Sequence, residues 1–244
     1  MSVPYALFAS DFPIKISDSG DTLFLGNQKI QVSGISNSKK NGPELIDVDG
    51  NVYQTIKIGT QVWMKENLRA GKYRNGDPIV SGLPYSTWIS TTIGATDIYG
   101  GNGKYLATYG NLYNWYATID PRGLCPVDWH VPTNDDWNQL SDFLGGDNVA
   151  GLKLKSTSSL WTQSEFISAD NSSGFSGLPA GVKAFGNFDF PYSSVRGTTH
   201  FWTSSSDYSI YAKYRSLSAT VTILEGRSLS YDKKYGFSVR CLKD

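Results

Sequence analysis

The sequence predicts an α+β fold that is loop-rich, with antiparallel strands, two or three short helices and a short N-terminal β segment. Aromatic residues make up 14% of the 244 residues and glycine occurs 25 times, which suits a β-rich domain with an aromatic core. Two-residue turn signals separate short apolar runs, as they do in hairpins. One clearly capped helical pattern lies at residues 133–144, so we expect few helices.

Residues 1–43 are predicted to form an N-terminal extended segment and linker. Thr22–Leu25 and Lys29–Val32 flank a turn signal at Gly26-Asn27-Gln28, which indicates two small strands. Ser33–Pro43 is polar, contains glycine and lacks periodicity, as linkers do. We therefore expect a boundary near residue 43 and one larger domain over residues 44–244, which is long enough to bury a core.

The larger domain is predicted to begin with hairpins. Leu45–Val48 and Val52–Ile58 flank Asp49-Gly50, a two-residue hairpin turn whose residues tolerate positive φ. Gly59-Thr60 then turns the chain into a strand over Gln61–Met64. Residues 65–108 show no clear elements, and we expect a packed or functional loop there.

Helical patterns occur at three places. Tyr109–Ala117 and Val149–Lys155 can each form a short helix. The clearest pattern is Thr133–Leu144, where Thr133 can cap the first turn and Asp135–Asp136 suit the positive end of the helix dipole. Gly145-Gly146 ends this helix. Its apolar stripe consists of Trp137, Leu140 and Leu144.

Strand patterns return near the C-terminus. They cover Thr199–Ser204, Ala212–Ser218, Thr222–Leu224 and Gly236–Leu242. Alternation along Ala212–Ser218 places residues 212, 214, 216 and 218 on one side and residues 213, 215 and 217 on the other. We expect one of these two sides to face the core.

The charge balance excludes several classes of partner. Lysine and arginine together number 22, as do aspartate and glutamate, so no broad attraction to nucleic acid or to an anionic membrane is expected. No apolar run is long enough for a transmembrane helix. Met1–Asp11 lacks the basic and apolar regions of a signal peptide. We therefore expect no nucleic acid partner and no membrane insertion. If the protein is exported, its export signal lies upstream of this chain or export uses another route.

Cys125 and Cys241 are the two cysteines, too few for a zinc site made of cysteines alone. Two alternatives remain, a pair of buried thiols or one disulfide, and we favour the disulfide. Closing so long a loop would stabilise the fold by about 4–5 kcal/mol in the chain-entropy model. A disulfide would also imply an oxidising compartment.

Six segments carry a specific pattern, and two of them, G-L-C-P-V-D-W-H-V-P-T-N-D-D-W and G-F-S-V-R-C, contain the cysteines. The six are Asp47–Leu68, Tyr109–Ala117, Gly123–Trp137, Ser173–Gly181, Phe201–Ser205 and Gly236–Cys241. In order and spacing they resemble the Fibrobacter succinogenes major paralogous domain family over residues 45–244. The D-T-L-F-L-G-N stretch of residues 21–27 resembles the segment that precedes this domain in surface proteins of the Bacteroidota.

The resemblance implies a C-type-lectin-like fold close to the formylglycine-generating-enzyme branch. His130–Trp137 would match the strand and helix start of that branch, and Gly236–Arg240 its terminal strand. The resemblance also implies an exported, surface-attached protein, because most of the family is exported. Relatives with this fold act as adhesins and receptor-binding proteins, and diversity-generating retroelements vary some of them near the C-terminus.

Catalysis is not expected, although the related branch contains oxidative enzymes. That branch uses a reactive cysteine pair, whereas Cys125 and Cys241 lie far apart in sequence and match structural positions of the family. An iron site with three histidines would need more than His130 and His200, and no G-x-S-x-G motif is present. We expect His130 to be a hydrogen-bonded structural residue and His200 to lie in a surface loop or at a sheet edge.

No cofactor is expected. Calcium needs several oxygen ligands, and the tripeptides that calcium lectins use, E-P-N, Q-P-D and W-N-D, are absent. Thr133–Asp136 is explained as a helix start, while Asp18–Asp21 and Asp47–Asn51 indicate turns. A structural calcium stays an alternative without assigned ligands.

The segment between Trp202 and Tyr235 is the predicted ligand-binding face, joined by loops of residues 73–105. Tyrosine and arginine interleaved with serine are typical of adaptable binding surfaces. The predicted contacts are Trp202, Ser204, Ser206, Tyr208, Tyr211, Lys213, Arg215, Arg227 and Tyr231. We expect a protein or glycan ligand on a cell surface. A fibre or pilus-tip subunit that assembles through residues 1–43 is the alternative.

Overall fold

The computed structural model describes residues 14–16, 22–25, 28–31, 45–162, 168–183 and 192–244. The chain divides into two units, Met1–Asn41 and Gly42–Asp244. In the first unit, β1 (Ile14–Ile16), β2 (Thr22–Leu25) and β3 (Gln28–Gln31) form an antiparallel sheet in that order. The two strands predicted there are therefore confirmed. Asp18–Asp21, one of the predicted turns, lies outside the described residues.

The strands of the second unit are short, with two longer ones near the C-terminus. The first seven are β4 (Leu45–Ile46), β5 (Val52–Tyr53), β6 (Thr55–Ile58), β7 (Gln61–Met64), β8 (Val80–Ser81), β9 (Ala95–Ile98) and β10 (Asn111–Tyr113). The others are β11 (Trp129–His130), β12 (Ala180–Lys183), β13 (Tyr192–Val195), β14 (Thr198–Ser206), β15 (Tyr211–Ser218), β16 (Ser230–Asp232) and β17 (Leu242–Lys243).

Five helices accompany these strands in the described part of the chain. They are α1 (Tyr85–Trp88), α2 (Leu106–Tyr109), α3 (Trp115–Thr118), α4 (Asn134–Phe143) and α5 (Asp147–Leu154). Two 3₁₀ turns lie at Tyr99–Gly101 and Gly103–Tyr105. The α+β class with several antiparallel sheets and few short helices is confirmed.

The described strands form four sheets in the second unit. A four-stranded sheet has the order β11-β17-β7-β6, a five-stranded sheet β13-β12-β14-β15-β16, and a three-stranded sheet β10-β9-β8. β4 and β5 pair as the predicted hairpin around Asp49-Gly50. β17, close to the end of the chain, pairs with β7, which lies near the start of the unit.

Helix α4 begins as its sequence predicts. The Thr133 hydroxyl accepts a hydrogen bond from the Asp136 backbone, and the Asp136 carboxylate accepts one from the Thr133 N–H. The predicted stripe, Trp137, Leu140 and Leu144, is buried. Such a reciprocal cap satisfies backbone donors that the first helical turn leaves unpaired.

The five-stranded sheet separates two aromatic cores. Trp202, Ala212 and Tyr214 belong to one core, whereas Phe201 and Leu217 belong to the other. One side of Ala212–Ser218 faces a core as expected, and the other side, which carries Arg215 and Leu217, is buried against the second core as well. Helix α4 covers the second side, where Trp137 packs 5.4 Å from Phe201.

Cys125 and Cys241 form a disulfide, with Cα atoms 5.9 Å apart. Both residues are buried. Next to this bridge, Arg240 is buried as well, and it donates hydrogen bonds to Asn67 Oδ1 at 2.9 Å and to the carbonyls of Phe175 and Ser176. Burial lowers the pKa of Arg240 to about 9. The disulfide and the hydrogen bonds of the Arg240 guanidinium thus hold the C-terminal segment in place.

Four predictions differ from the structure. Residues 109–117 do not form one helix. Tyr109 ends α2, Gly110 has φ +75°, Asn111–Tyr113 is a strand that pairs with β9, and a new helix begins at Trp115. Residues 222–224 form no strand. The predicted strand Gly236–Leu242 consists of single bridges followed by β17. Residues 65–108 contain short strands and helices where we expected a loop.

The two histidines occupy different environments. His130 is hydrogen-bonded as predicted, with Nδ1 2.6 Å from Asp244 Oδ1 and Nε2 3.4 Å from Asp136 Oδ2. Bonding to Asp136, and also to Asp244, raises the pKa of His130. His200 was expected in a surface loop or at an edge, but it lies in β14, a central strand. Its ring is 4.8 Å from Phe237, and burial lowers its pKa to about 4.

None of the helices that the structure describes has the length and apolar character needed to cross a membrane.

Replacing both cysteines with alanine should lower the free energy of unfolding by about 4–5 kcal/mol, because the bridge closes a long loop in the unfolded chain. The two residues lie 116 positions apart. Urea unfolding of the wild type, the double variant and the reduced wild type measures this. Equal unfolding midpoints for the three samples would contradict the prediction.

Acidification should destabilise the protein through His200. Its pKa is about 4 in the folded protein, against an ordinary histidine value of 6.5, so the unfolded chain binds more protons between these two values. The contribution of His200 to stability is constant above pH 6.5, and stability falls by roughly 3 kcal/mol as pH drops through this window. His200→Phe keeps a ring in place and should flatten the curve of unfolding free energy against pH.

His130 serves as the control, since its folded pKa is raised. Its contribution is complete below pH 6.5 and is lost as pH rises through the raised pKa. His130→Asn should therefore lower stability below pH 6.5, remove the loss of stability that His130 causes as pH rises above 6.5, and leave the acid decline intact. A decline that survives His200→Phe would show that other groups cause it.

Candidate ligand-binding surface

The connection between β14 and β15 presents exposed apolar side chains. Tyr208 is 69% exposed, Ile210 52% and Tyr211 41%. The Asp207 N–H donates to the Tyr211 carbonyl at 3.1 Å, and Tyr208 and Tyr211 exchange backbone hydrogen bonds at 3.3 Å. The loop is therefore a closed hairpin tip. Its shape is fixed by the backbone, and its large side chains face solvent.

Lys233 fixes the backbone of this hairpin tip through hydrogen bonds. Its Nζ donates to Ser206 Oγ at 2.9 Å and to the carbonyls of Tyr208 and Ser209 at 3.0 Å. The same ammonium lies 4.3 Å from the centre of the Trp115 ring. Burial lowers the pKa of Lys233. Three acceptors and an aromatic face thus compensate the charge and fix the backbone of the tip.

Asp207 ties the tip to the next segment. Its carboxylate accepts hydrogen bonds from Ser230 Oγ and, at 3.0 Å, from Lys213 Nζ, which also donates to the Ser228 carbonyl at 3.3 Å. The hydrogen bond from Ser230, and to a smaller extent the one from Lys213, lowers the pKa of the Asp207 carboxyl. These bonds bring residues 228–230 beside the tip. Leu229 in that segment is 58% exposed.

Trp202 and Arg215 are buried, which corrects their prediction as ligand contacts. Trp202 donates from Nε1 to the Tyr113 carbonyl at 2.8 Å, and its ring lies 4.2 Å from Phe237. Arg215 Nη2 bonds Asn138 Oδ1 of α4, and burial lowers the Arg215 pKa to about 10. Neither side chain reaches the surface, because both sides of the five-stranded sheet are covered.

The other predicted contacts have different surroundings. Tyr231 is half-buried between Tyr214 and Tyr235, at ring distances of 5.0 and 4.7 Å. Arg227 Nη2 lies 2.6 Å from Asp142, and Arg227 Nε lies 2.5 Å from Asp147. Ser204, which is half-buried, donates its N–H to the Pro132 carbonyl. Ser206, Tyr208, Tyr211 and Lys213 are the predicted residues that the structure brings together at the tip.

Three residues of this region were not predicted from the sequence. Ile210 and Leu229 are single aliphatic residues among polar ones, a pattern that gives no burial signal by itself. Lys233 belongs to D-K-K-Y, which is typical of a solvated surface. Its buried position follows from contacts with residues far away in sequence, so no local pattern indicates it.

The described residues bring together no set of three His, Cys, Asp or Glu side chains that could hold a metal ion. Asp47–Asn51 forms the predicted turn, in which Asp47 accepts hydrogen bonds from the N–H groups of Asp49 and Asn51. The structural calcium stays a prediction without assigned ligands.

Lys233→Met should loosen the hairpin tip, because three acceptors lose their donor while the apolar stem is kept. We expect a loss of about 1–3 kcal/mol in unfolding free energy and faster hydrogen exchange at residues 207–211. Hydrogen-exchange mass spectrometry checks this. Lys243→Met, at an exposed lysine, is the matched control. Equal exchange rates at the tip in the two variants would contradict the role of Lys233.

Comparison with known proteins gives one family match. The family model described as the Fibrobacter succinogenes major domain matches residues 56–243, which is more than half of the chain. Neither the curated proteins nor the solved structures include a match to this chain. The motifs that contain Cys125, the capped helix and Cys241 lie within the matched range. The chain therefore belongs to the Fibrobacter succinogenes major domain family.

Proposed function

We propose that this protein is a non-catalytic recognition module that binds a protein ligand through the hairpin surface, defined as Tyr208, Ile210, Tyr211 and Leu229. One observation carries the proposal: four large apolar side chains are exposed together on a backbone that Lys233 and Asp207 fix. Exposed apolar groups on a rigid frame typically mark interaction sites, because little conformational freedom is lost on binding.

The composition of the hairpin surface favours a protein over a glycan. Tyrosine rings can stack on sugars, but the aliphatic side chains of Ile210 and Leu229 gain most from an apolar partner surface. Serine and charged groups surround them, among them Ser206 and the pair Lys213–Asp207. An apolar centre with a polar rim is the usual composition of protein interfaces.

We further propose a C-type-lectin-like fold and an extracellular or cell-surface location. The disulfide supports the location, because such bridges persist in oxidising compartments. The pairing of β17 with β7, which joins the end of the unit to its beginning, supports the fold. The family match supports both the fold and the location. Self-assembly through residues 1–43 is a separate proposal for the first unit.

Tyr208→Ser combined with Tyr211→Ser should weaken ligand binding by about thirtyfold or more, as expected for truncated interface tyrosines. The free energy of unfolding should change by less than about 0.5 kcal/mol, because exposed side chains contribute little to stability. A screen of cell-surface proteins and a glycan array, followed by titration of any hit, measures binding.

Phe143→Ser is the matched control, since Phe143 is 64% exposed and lies at the end of α4. It should leave binding unchanged. A protein hit that binds the tyrosine variant with unchanged affinity would contradict the proposal. If hits occur only on the glycan array, the ligand is a carbohydrate and the proposed protein ligand is wrong.

A further inference from the structure

A second exposed apolar patch lies beside strand β4, and we call it the edge surface, defined as Ile46, Val48 and Val127. Ile46 is 56% exposed, Val48 44% and Val127 65%. These side chains line one open depression of about 250 Å³, together with Leu124 and Pro126. Clustered apolar groups at the surface of a folded chain typically mark an interaction site.

The β4–β5 hairpin leaves one edge of β4 open. The Asp47 N–H donates to the Asn51 carbonyl at 3.1 Å, so Asp47 directs its backbone groups towards β5. Successive residues of a strand direct these groups to opposite edges, and Ile46 therefore directs its N–H and carbonyl away from β5. The Val52 carbonyl, opposite Ile46, agrees with this pattern because it accepts a hydrogen bond from Arg69 and not from β4.

The backbone of Ile46 is available to another strand. Neither its N–H nor its carbonyl has a hydrogen-bond partner in the described parts of the chain. β4 pairs with β5 alone among the described strands. Edges of this kind pair readily with a strand from another chain. The apolar side chains of the edge surface add a contact that such a strand can cover.

A second copy of β4 is complementary to this edge. Two copies that run antiparallel about a two-fold axis at Ile46 exchange two backbone hydrogen bonds, since each Ile46 offers one donor and one acceptor. A two-fold interface uses the same patch on both copies. The edge surface of one copy is then covered by the edge surface of the other.

The charges at the rim suit the same arrangement. Arg74 lines the depression, and its Nε and Nη2 donate to the carbonyls of Cys125 and Trp129 at 2.9 Å. Asp128, next to Val127, is exposed. Neither Arg74 nor Asp128 forms a salt bridge with a described residue. A patch with one free charge of each sign attracts a rotated copy of itself, whereas a patch of a single sign would repel it.

From the open edge, the apolar patch and the rim charges we infer that this protein forms a two-fold dimer through the edge surface, with the β4 strands of two copies paired antiparallel. The pairing joins the two β4–β5 hairpins into one four-stranded sheet. The dimer carries two hairpin surfaces, which gives a cell-surface ligand two points of attachment. This consequence rests on the proposed function, but the dimer itself does not.

Sedimentation velocity of the full chain over a series of protein concentrations tests the dimer. We expect a concentration-dependent equilibrium between monomer and dimer. Ile46→Lys combined with Val127→Lys should weaken dimerisation by about a hundredfold or more, because the interface then buries unpaired ammonium groups. The urea unfolding midpoint should stay unchanged. Ile93→Lys, at another isoleucine that is 58% exposed, is the matched control and should keep the dimer.

A second variant tests the backbone pairing. Ile46→Pro removes the N–H that pairs across the axis, and proline is compatible with an open strand edge, so the dimer should be lost while the monomer stays folded. Hydrogen-exchange mass spectrometry gives an independent measurement. The backbone amide of Ile46 should exchange more slowly in the dimer than in the diluted monomer.

A monomer at every concentration would overturn the inference, and so would a dimer that persists in both Ile46 variants. Tyr208→Ser combined with Tyr211→Ser should leave the dimer unchanged. Loss of the dimer in that variant would place the contact at the hairpin surface and overturn the inference as well. A monomeric protein that still binds a protein ligand through the hairpin surface would refute the dimer and leave the proposed function intact.

Discussion

Backbone hydrogen bonds from residues 236–243 join the sheets of the larger unit. Gly236 exchanges bonds with Lys183, Phe237 does so with Tyr113, and Ser238 bonds the backbone of β14. Val239 and Cys241 accept from Leu68 and Met64, and β17 lies between β11 and β7. The five-, three- and four-stranded sheets therefore meet at one segment. The disulfide and the buried Arg240 hold that segment in place.

This arrangement also fixes the base of the hairpin surface. The hairpin surface extends from β14 and β15, and β14 bonds the C-terminal segment. β10 is held by the same segment, since its Tyr113 exchanges two hydrogen bonds with Phe237. The hairpin surface thus extends from strands that one central segment fixes, and its exposed side chains can be replaced without loss of core contacts.

Local chemistry made part of this fold predictable. The cap at Thr133, the stripe on α4 and the Asp49-Gly50 turn depend on neighbours in sequence, and each was predicted from the residues. Residues 109–117 were mispredicted because the helical pattern of the aromatic residues competes with pairing to β9 and to Phe237, both distant contacts. At the binding surface, exposed Tyr208 and Tyr211 followed from composition. The burial of Lys233 and Arg215 did not, because buried charges depend on partners that only tertiary structure supplies.

The position of the central segment also has a consequence for biosynthesis. Residues 236–243 are translated after every strand that they bind, so the sheets of the larger unit cannot be joined while earlier residues emerge from the ribosome. Strand pairs such as β6–β7 and β14–β15 need no residue of this segment, so the joining of the sheets, and not the formation of each pair, is the step that waits for it.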